Sequence, residues 1–259
     1  MHKYLKTAGM SAMEKLNGGV IYLLPDVIIK AFTLIPLVFL WRVVMSKGVQ
    51  TGMTLEQMLT YTYVSALLSD MLVVTTPATG WLSEGVIQKL YGRPLSVFGQ
   101  LAAITAGGWA PNLLLFSLPL ALLAPVFGIS LVPASPLFFI SLPLCMSLGF
   151  AIDMLFACLS QKLRNMSWLV NRIRAATVTL LSGTIIPISL LPYGVARILQ
   201  YQPFASLGGS PLSIFTGAAD SVGGGAGMIL RQVIWNLVVW PAALLWYAKS
   251  REEMVSYGG

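Results

Sequence analysis

Four ionisable side chains, Asp26, Lys30, Asp70 and Asp153, sit inside stretches of sequence that are otherwise apolar. A charge at the centre of a membrane helix costs about 2.5–3.5 kcal/mol on insertion scales, so each of the four needs a partner or water. Asp26 and Lys30 stand four residues apart and can pair along one helix face. Two readings of that pair stay open: a structural contact near one end of the first apolar stretch, or a group lining a substrate path. Asp70 and Asp153 fall in the inner halves of the second and fourth stretches, where structure and function are equally good readings. Other chemistry lacks its parts. The single histidine is His2, so neither a histidine metal site nor a Ser-His-Asp triad can be assembled. There is no G-x-x-x-x-G-K-[ST] segment to cradle nucleotide phosphates. The chain is therefore not expected to be an enzyme, and it is expected to hold no metal or cofactor of its own.

The elements that must position these charges follow from composition. Of the 259 residues, 56% are hydrophobic and 10% charged, against roughly 45–50% and 25% in soluble domains. The apolar residues come in blocks of about twenty, the length of helix that crosses a hydrocarbon core ~30 Å thick. Blocks at about 20–45, 58–76, 98–127, 132–160, 175–191 and 228–247 predict an all-α membrane bundle of about six spans in a single domain over 1–259. The third and fourth blocks contain Pro111, Pro119, Pro125, Pro133, Pro136 and Pro143, which predicts kinked or tilted helices. Cys145 and Cys158 lie thirteen residues apart on one expected helix, ~20 Å along its axis and far beyond disulfide reach.

Before the first span, Tyr4, Leu5, Ala8, Ala12, Met13 and Leu16 share one helical face, with Lys3, Lys6, Glu14 and Lys15 elsewhere. Residues 1–17 thus predict an amphipathic helix lying flat at the headgroups, not a cleavable signal peptide. With the N-terminus in the cytoplasm, the inner segments hold eleven of the sixteen basic residues and the outer segments four, with Lys30 inside a span. That asymmetry predicts both termini to be cytoplasmic, and it accounts for the net charge of +7 without nucleic acid. Segment 192–227 is then outside, rich in Gly and Pro, and is expected to form a loop or re-entrant hairpin.

The inner segment 77–97 carries Trp81, Leu82, Val86, Ile87, Leu90 and Tyr91 at helical spacing, stopped by Gly92 and Pro94, which predicts a short amphipathic helix. Its pattern Ser83-Glu84-Gly85-x-Ile87-x-x-Leu90-x-x-Arg93-Pro94-Leu95 resembles the cytoplasmic loop of six-span permeases of the type-2 ABC exporter superfamily. Ser182-Gly183, Pro187, Leu191-Pro192, Pro203-Phe204, Pro211, Ile214 and Gly217 resemble that superfamily's outer segment, and the leader resembles its interfacial elbow helix. The resemblance implies a bacterial cell-membrane (inner or plasma membrane) permease that pairs with a second permease, identical or a sister subunit. Separate cytoplasmic ATPase subunits would bind the ATP and Mg. It also implies that Trp81, Glu84, Ile87, Leu90 and Arg93 form the coupling contact with the ATPase. Pro187, Pro192 and Phe204 would shape an outer gate. Two other classes compete: a proton-driven secondary transporter with Asp26, Asp70 and Asp153 as relay, and a non-transporting membrane scaffold.

Overall fold

The computed structural model describes residues 2–18, 24–47, 52–163, 166–191, 194–219 and 224–258, with backbone alone at 26, 27 and 254–258. Every regular element among them is helical. The chain begins with α1 (His2–Asn17) and α2 (Leu24–Ser46). Thr54 then opens α3 (Leu55–Leu67) with a reciprocal capping box, its hydroxyl accepting from the Gln57 N–H while the Gln57 side chain accepts from the Thr54 N–H. A break at Leu68 leads into the single turn α4 (Ser69–Leu72). Next come α5 (Ala78–Ser83) and a 3₁₀ turn (Val86–Leu90). Then α6 (Val97–Asn112) continues through a π-turn (Leu113–Ser117) into α7 (Leu118–Leu123). The widened turn sits just before Pro119, which lacks an N–H and crowds the preceding turn, and the helix continues through it into α7. The remaining elements are α8 (Phe138–Lys162), α9 (Ser167–Leu181), α10 (Val195–Leu199), α11 (Gly209–Thr216) and α12 (Gly224–Gly258).

Four helices among the described residues are long and apolar enough to cross a membrane: Ile28–Ser46, Val97–Phe127, Phe138–Lys162 and Gly224–Glu253. They correspond to the first, third, fourth and sixth apolar blocks. The second and fifth blocks meet shorter helices instead, α3 with α4 and the 15-residue α9. Large apolar side chains face outward along α2 (Ile28, Phe32, Ile35, Phe39), α7 (Leu118, Leu122) and α12 (Leu237, Leu245). Surfaces of that size have no stable place in water, and they mark a membrane protein.

Helix directions can be read from paired residues. Lys30 meets Asp70 while Trp41 donates to Thr62 (2.8 Å), so α2 runs antiparallel to α3 and α4. Asn112 donates to Asp70 and Ser117 to the Leu67 carbonyl, so α6 and its continuation run antiparallel to them as well. Cys145 lies by Leu72 and Asp153 by Thr76, which makes α8 parallel to α3 and α4. Arg174 reaches the Val74 carbonyl and Ser65 that of Thr184, which turns α9 the opposite way. Ser141 donates to Gln232 and Gln161 to the Ser250 carbonyl, so α12 runs parallel to α8. α8 is the central element, with Cys145, Leu148, Ala151, Met154, Ala157 and Cys158 all inaccessible.

α1 packs lengthwise on α6. Tyr4 reaches Ser96, Ser11 donates to the Ile104 carbonyl (2.9 Å) and Lys15 to that of Gly108 (3.0 Å), so the two run in the same direction. Gly99, Ala103 and Gly107 form a stripe of small residues on α6 that lets the backbones approach. The face of α1 turned inward is Tyr4, Thr7, Ala8 and Ser11, while Leu5, Met13 and Leu16 remain exposed. The expected apolar face is thus split: Tyr4 and Ala8 pack within the chain and the larger members face out.

A Cβ at Gly107 would fall 2.1 Å from the Ala8 carbonyl oxygen, whereas one at Gly9 would meet nothing within 4 Å. Gly107→Ala should therefore displace α1 and destabilise the protein by about 1–3 kcal/mol. Gly9→Ala should stabilise it by up to about 1 kcal/mol through helix propensity. Thermal unfolding of the detergent-solubilised protein checks the opposite signs.

Candidate functional site

The charges singled out in the sequence gather at two places. Lys30 of α2 pairs with Asp70 of α4 at 3.2 Å, and its ammonium lies 5.3 Å from the Phe116 ring centroid. Asn112 donates to the second Asp70 oxygen at 3.0 Å. The cluster joins α2, α4 and α6, both charged side chains keep partial exposure (18% and 27%), and Lys30 lines a small cavity of about 190 Å³. Thr33, Thr62, Ser65, Ser69, Thr179 and Thr184 contribute to the cavity wall. Lys30 was expected to pair with Asp26 along its own helix; the structure gives it a carboxylate from another helix, and the Asp26 side chain lies outside the described residues.

The second place is closed to solvent. Asp153 of α8 pairs with Arg174 of α9 at 3.1 Å, with side-chain exposures of 1% and 7%. The other Asp153 oxygen accepts from the Thr76 N–H (2.9 Å) and from the Thr76 hydroxyl (2.6 Å). Arg174 also donates to the Val74 carbonyl (3.2 Å) and the Thr75 hydroxyl (2.9 Å). One charge pair thereby fixes the backbone of 74–76, the strip of chain that leads into α5, against both α8 and α9. Burying two charges is costly, and the cost is partly offset here by directed hydrogen bonds to Thr76, Thr75 and the Val74 carbonyl, although the Arg174 Nε makes none. Arg174, one of the eleven basic residues that the sequence assigns to inner segments, is a buried structural charge.

Segment 77–97 is held at its other end too. The Thr79 carbonyl accepts from Ser160 of α8 (3.2 Å). Gln100 of α6, wholly buried, donates to the carbonyls of Leu90 (2.9 Å) and Leu95 (3.0 Å). The Tyr91 hydroxyl shares a hydrogen bond with Tyr247 of α12 (2.7 Å). The segment is not the one continuous helix expected. Gly85, at φ 72°, divides it into α5 and the 3₁₀ turn, a backbone state that glycine alone adopts without strain.

This break decides which side chains face out. Ile87 and Leu90 are buried in the chain's own core and anchor the segment, so two of the five residues expected at a coupling contact point inward. Glu84 and Arg93 are exposed, with Gln88, Lys89 and Tyr91 beside them, and Trp81 is half-buried. Glu84 and Trp81 border an open groove of about 610 Å³ whose far wall, on α9, includes Asn171 and Arg172. At the opposite end of the bundle, Pro187 is buried at the start of a 3₁₀ turn and Phe204 packs against the main core. Pro192 lies outside the described residues.

Arg174, Thr76, Gln100 and Asn112 are the functional-site residues missed in the sequence. The polar Gln100 and Asn112 inside an apolar block were the available signal; nothing local points from Asp153 to Arg174. No group of His, Cys, Asp and Glu able to hold a metal ion occurs among the described residues. No protein-family model matches the chain, and no curated protein matches it.

Removing one member of the buried pair leaves the other charge uncompensated. Asp153→Leu and Arg174→Met should each destabilise the protein by about 3–5 kcal/mol. The double variant should lose clearly less than the sum of the two, which a double-mutant cycle of unfolding in detergent will measure.

Proposed function

We propose that the chain is the permease subunit of an ATP-driven type-2 exporter in a bacterial cell membrane, working with a second permease and with separate cytoplasmic ATPase subunits. The observation that carries the reading is the exposed polar turn at 84–93 on a rigid mount. Its outward side chains, Glu84, Gln88, Lys89 and Arg93, stand on a segment tied to α6, α8 and α12, and through Val74 and Thr75 just ahead of it to α9. A push on such a turn moves helices, because no soft linker intervenes to absorb it. The charged residues give a partner a register, and the neighbouring groove gives it a surface to enter.

Six crossings with both termini inside are part of the same proposal. The alternating directions of α2, α3 with α4, α6 with α7, α8, α9 and α12 support it, since six segments in strict alternation return the chain to the side where it started. The α1 helix then runs along the inner part of α6 and does not lie flat at the headgroups as its sequence suggested, its small and polar face on α6 and Leu5, Met13 and Leu16 turned outward. The short helices α10 and α11 lie on the outer side, with Pro187 and Phe204 in the wall of an outer gate.

One observation favours a second reading, a proton-coupled carrier. Asp70 is partly exposed and accepts from Lys30 and Asn112, and Lys30 in turn lines a cavity with several hydroxyl groups in its wall. In that reading Asp70 takes up and releases the coupling proton.

The two are separated by one set of measurements. Affinity purification of the full chain from its native membrane in mild detergent should recover an ATPase in fixed stoichiometry. Combining Glu84→Arg with Arg93→Glu should weaken that association about tenfold and leave the helical content unchanged. Transport by vesicles holding the chain alone, abolished by Asp70→Asn, would instead establish the carrier.

A further inference from the structure

A groove opens on the side of the bundle where α6 and α12 flank α8. It measures about 410 Å³, within the roughly 300–1,000 Å³ of small-molecule sites. Phe98, Ala102, Ala106 and Trp109 of α6 form one wall, Trp240 of α12 stands opposite, and Phe150 of α8 lies in the floor. The aromatic rings brace one another. Trp240 and Phe150 stack with 5.9 Å between centroids, and Phe98 lies 6.1 Å from Trp240 and 6.5 Å from Phe150. Phe98 also meets Tyr247 edge-on at 4.9 Å, and Tyr247 shares its hydroxyl with Tyr91, so packed rings bound the groove at the end nearest segment 77–97.

The polar side chains in the wall are engaged within the chain. Thr105 donates to the Leu101 carbonyl (2.8 Å), and the Trp240 indole donates to the Ser147 hydroxyl (2.9 Å). Water needs two to four polar partners to settle in a cavity, so this one suits an apolar occupant. Its surroundings supply hydrocarbon. Leu237 and Leu244, three residues before Trp240 and four after it, share its face of α12 and are 70% and 46% exposed. The groove thus continues the outward apolar surface of α12, and Ala102 and Ala106, small and exposed, leave its α6 side open. Length favours a chain over a compact ring system: from Phe98 to Trp109 the wall runs ~16 Å at a rise of ~1.5 Å per residue. Phe98 is the second residue of α6, so a headgroup can stay beyond the helix end while its chain follows the wall.

We propose that this groove holds one acyl chain of a membrane phospholipid. Bilayer and groove are equally apolar, so the chain is retained by close dispersion contact with fixed aromatic walls and not by escape from water. The site stands on its own geometry, whether or not the chain is a transport subunit.

The full-length protein is placed in phosphatidylcholine nanodiscs containing a phospholipid with a diazirine in one acyl chain. Photolabelling of the wild type should concentrate on the groove stretches of α6 and α8 over the lipid-facing α2 residues Phe32 and Phe39. Ala102→Phe and Ala106→Phe, which put a ring into the groove from exposed positions, should each weaken the phospholipid retention read by native mass spectrometry about tenfold. Leu245→Phe, on open α12 surface, should keep all of it. Label spread evenly over α2, α6 and α8 would overturn the proposal, as would equal retention by the double phenylalanine variant and the wild type. Displacement of the label by an equimolar planar sterol would overturn it in favour of a ring-shaped ligand, and loss of the label on dimer formation in favour of a second copy of the chain. The labelling pattern of the wild type needs no substitution, so it decides the question even where a variant fails to fold.

Discussion

A carboxylate and a guanidinium taken out of water together, Asp153 and Arg174, constrain the rest of this molecule more than any apolar contact does. Hydrophobic packing tolerates a helix sliding or turning by a few degrees; an ion pair that also bonds to Thr76, Thr75 and the Val74 carbonyl does not. Because the three partners come from α8, α9 and the strip ahead of α5, the pair sets their relative heights and rotations at once. The start of segment 77–97 is positioned by this contact, and Ser160, Gln100 and Tyr247 hold the remainder.

Away from the pair, the bundle uses different means at its flanks and at its ends. Along the flanks, apolar faces of α2, α7 and α12 need only a hydrocarbon solvent, and helix seams are made close by small residues such as Gly99 and Gly107. At the ends, side-chain amides do the joining. Gln100 closes segment 77–97 onto α6, Gln202 accepts from the Phe204 N–H and donates to the Leu181 carbonyl, and Gln232 links α8, α12 and the turn at Pro203–Ser206. Amides suit this task because one side chain both donates and accepts, and so satisfies loop backbone that no helix ladder reaches.

What could be read from sequence and what could not divide along the range of the interactions. Length and apolarity are local properties, so α2, α6 with α7, α8 and α12 were legible as blocks. The second and fifth blocks were legible as apolar but not as short helices. Leu68 breaks α3 with no proline or glycine to announce it, and α9 ends where Ser182 and Gly183 turn toward Gly209. Segment 77–97 was legible as amphipathic, but the effect of Gly85 was not, because a glycine permits a left-handed turn without demanding one. The charge pairs were the least legible. Local spacing offers Asp26 to Lys30, whereas Asp70 is forty positions on; Arg174 stands two residues from Arg172 and reads as part of the same loop charge until α9 and α8 are docked.

The seam between α1 and α6 has a temporal side. Its hydrogen bonds join residues 92 or 93 positions apart, so the surface that receives α1 does not exist until α2 through α6 have been made and have found one another. During synthesis the N-terminal helix is a component without a berth. Its exposed Leu5, Met13 and Leu16 offer a membrane surface something to hold in the meantime. Completion of the Gly99–Gly107 stripe then recruits the helix laterally, so α1, made before α2 through α6, reaches its final address only after them.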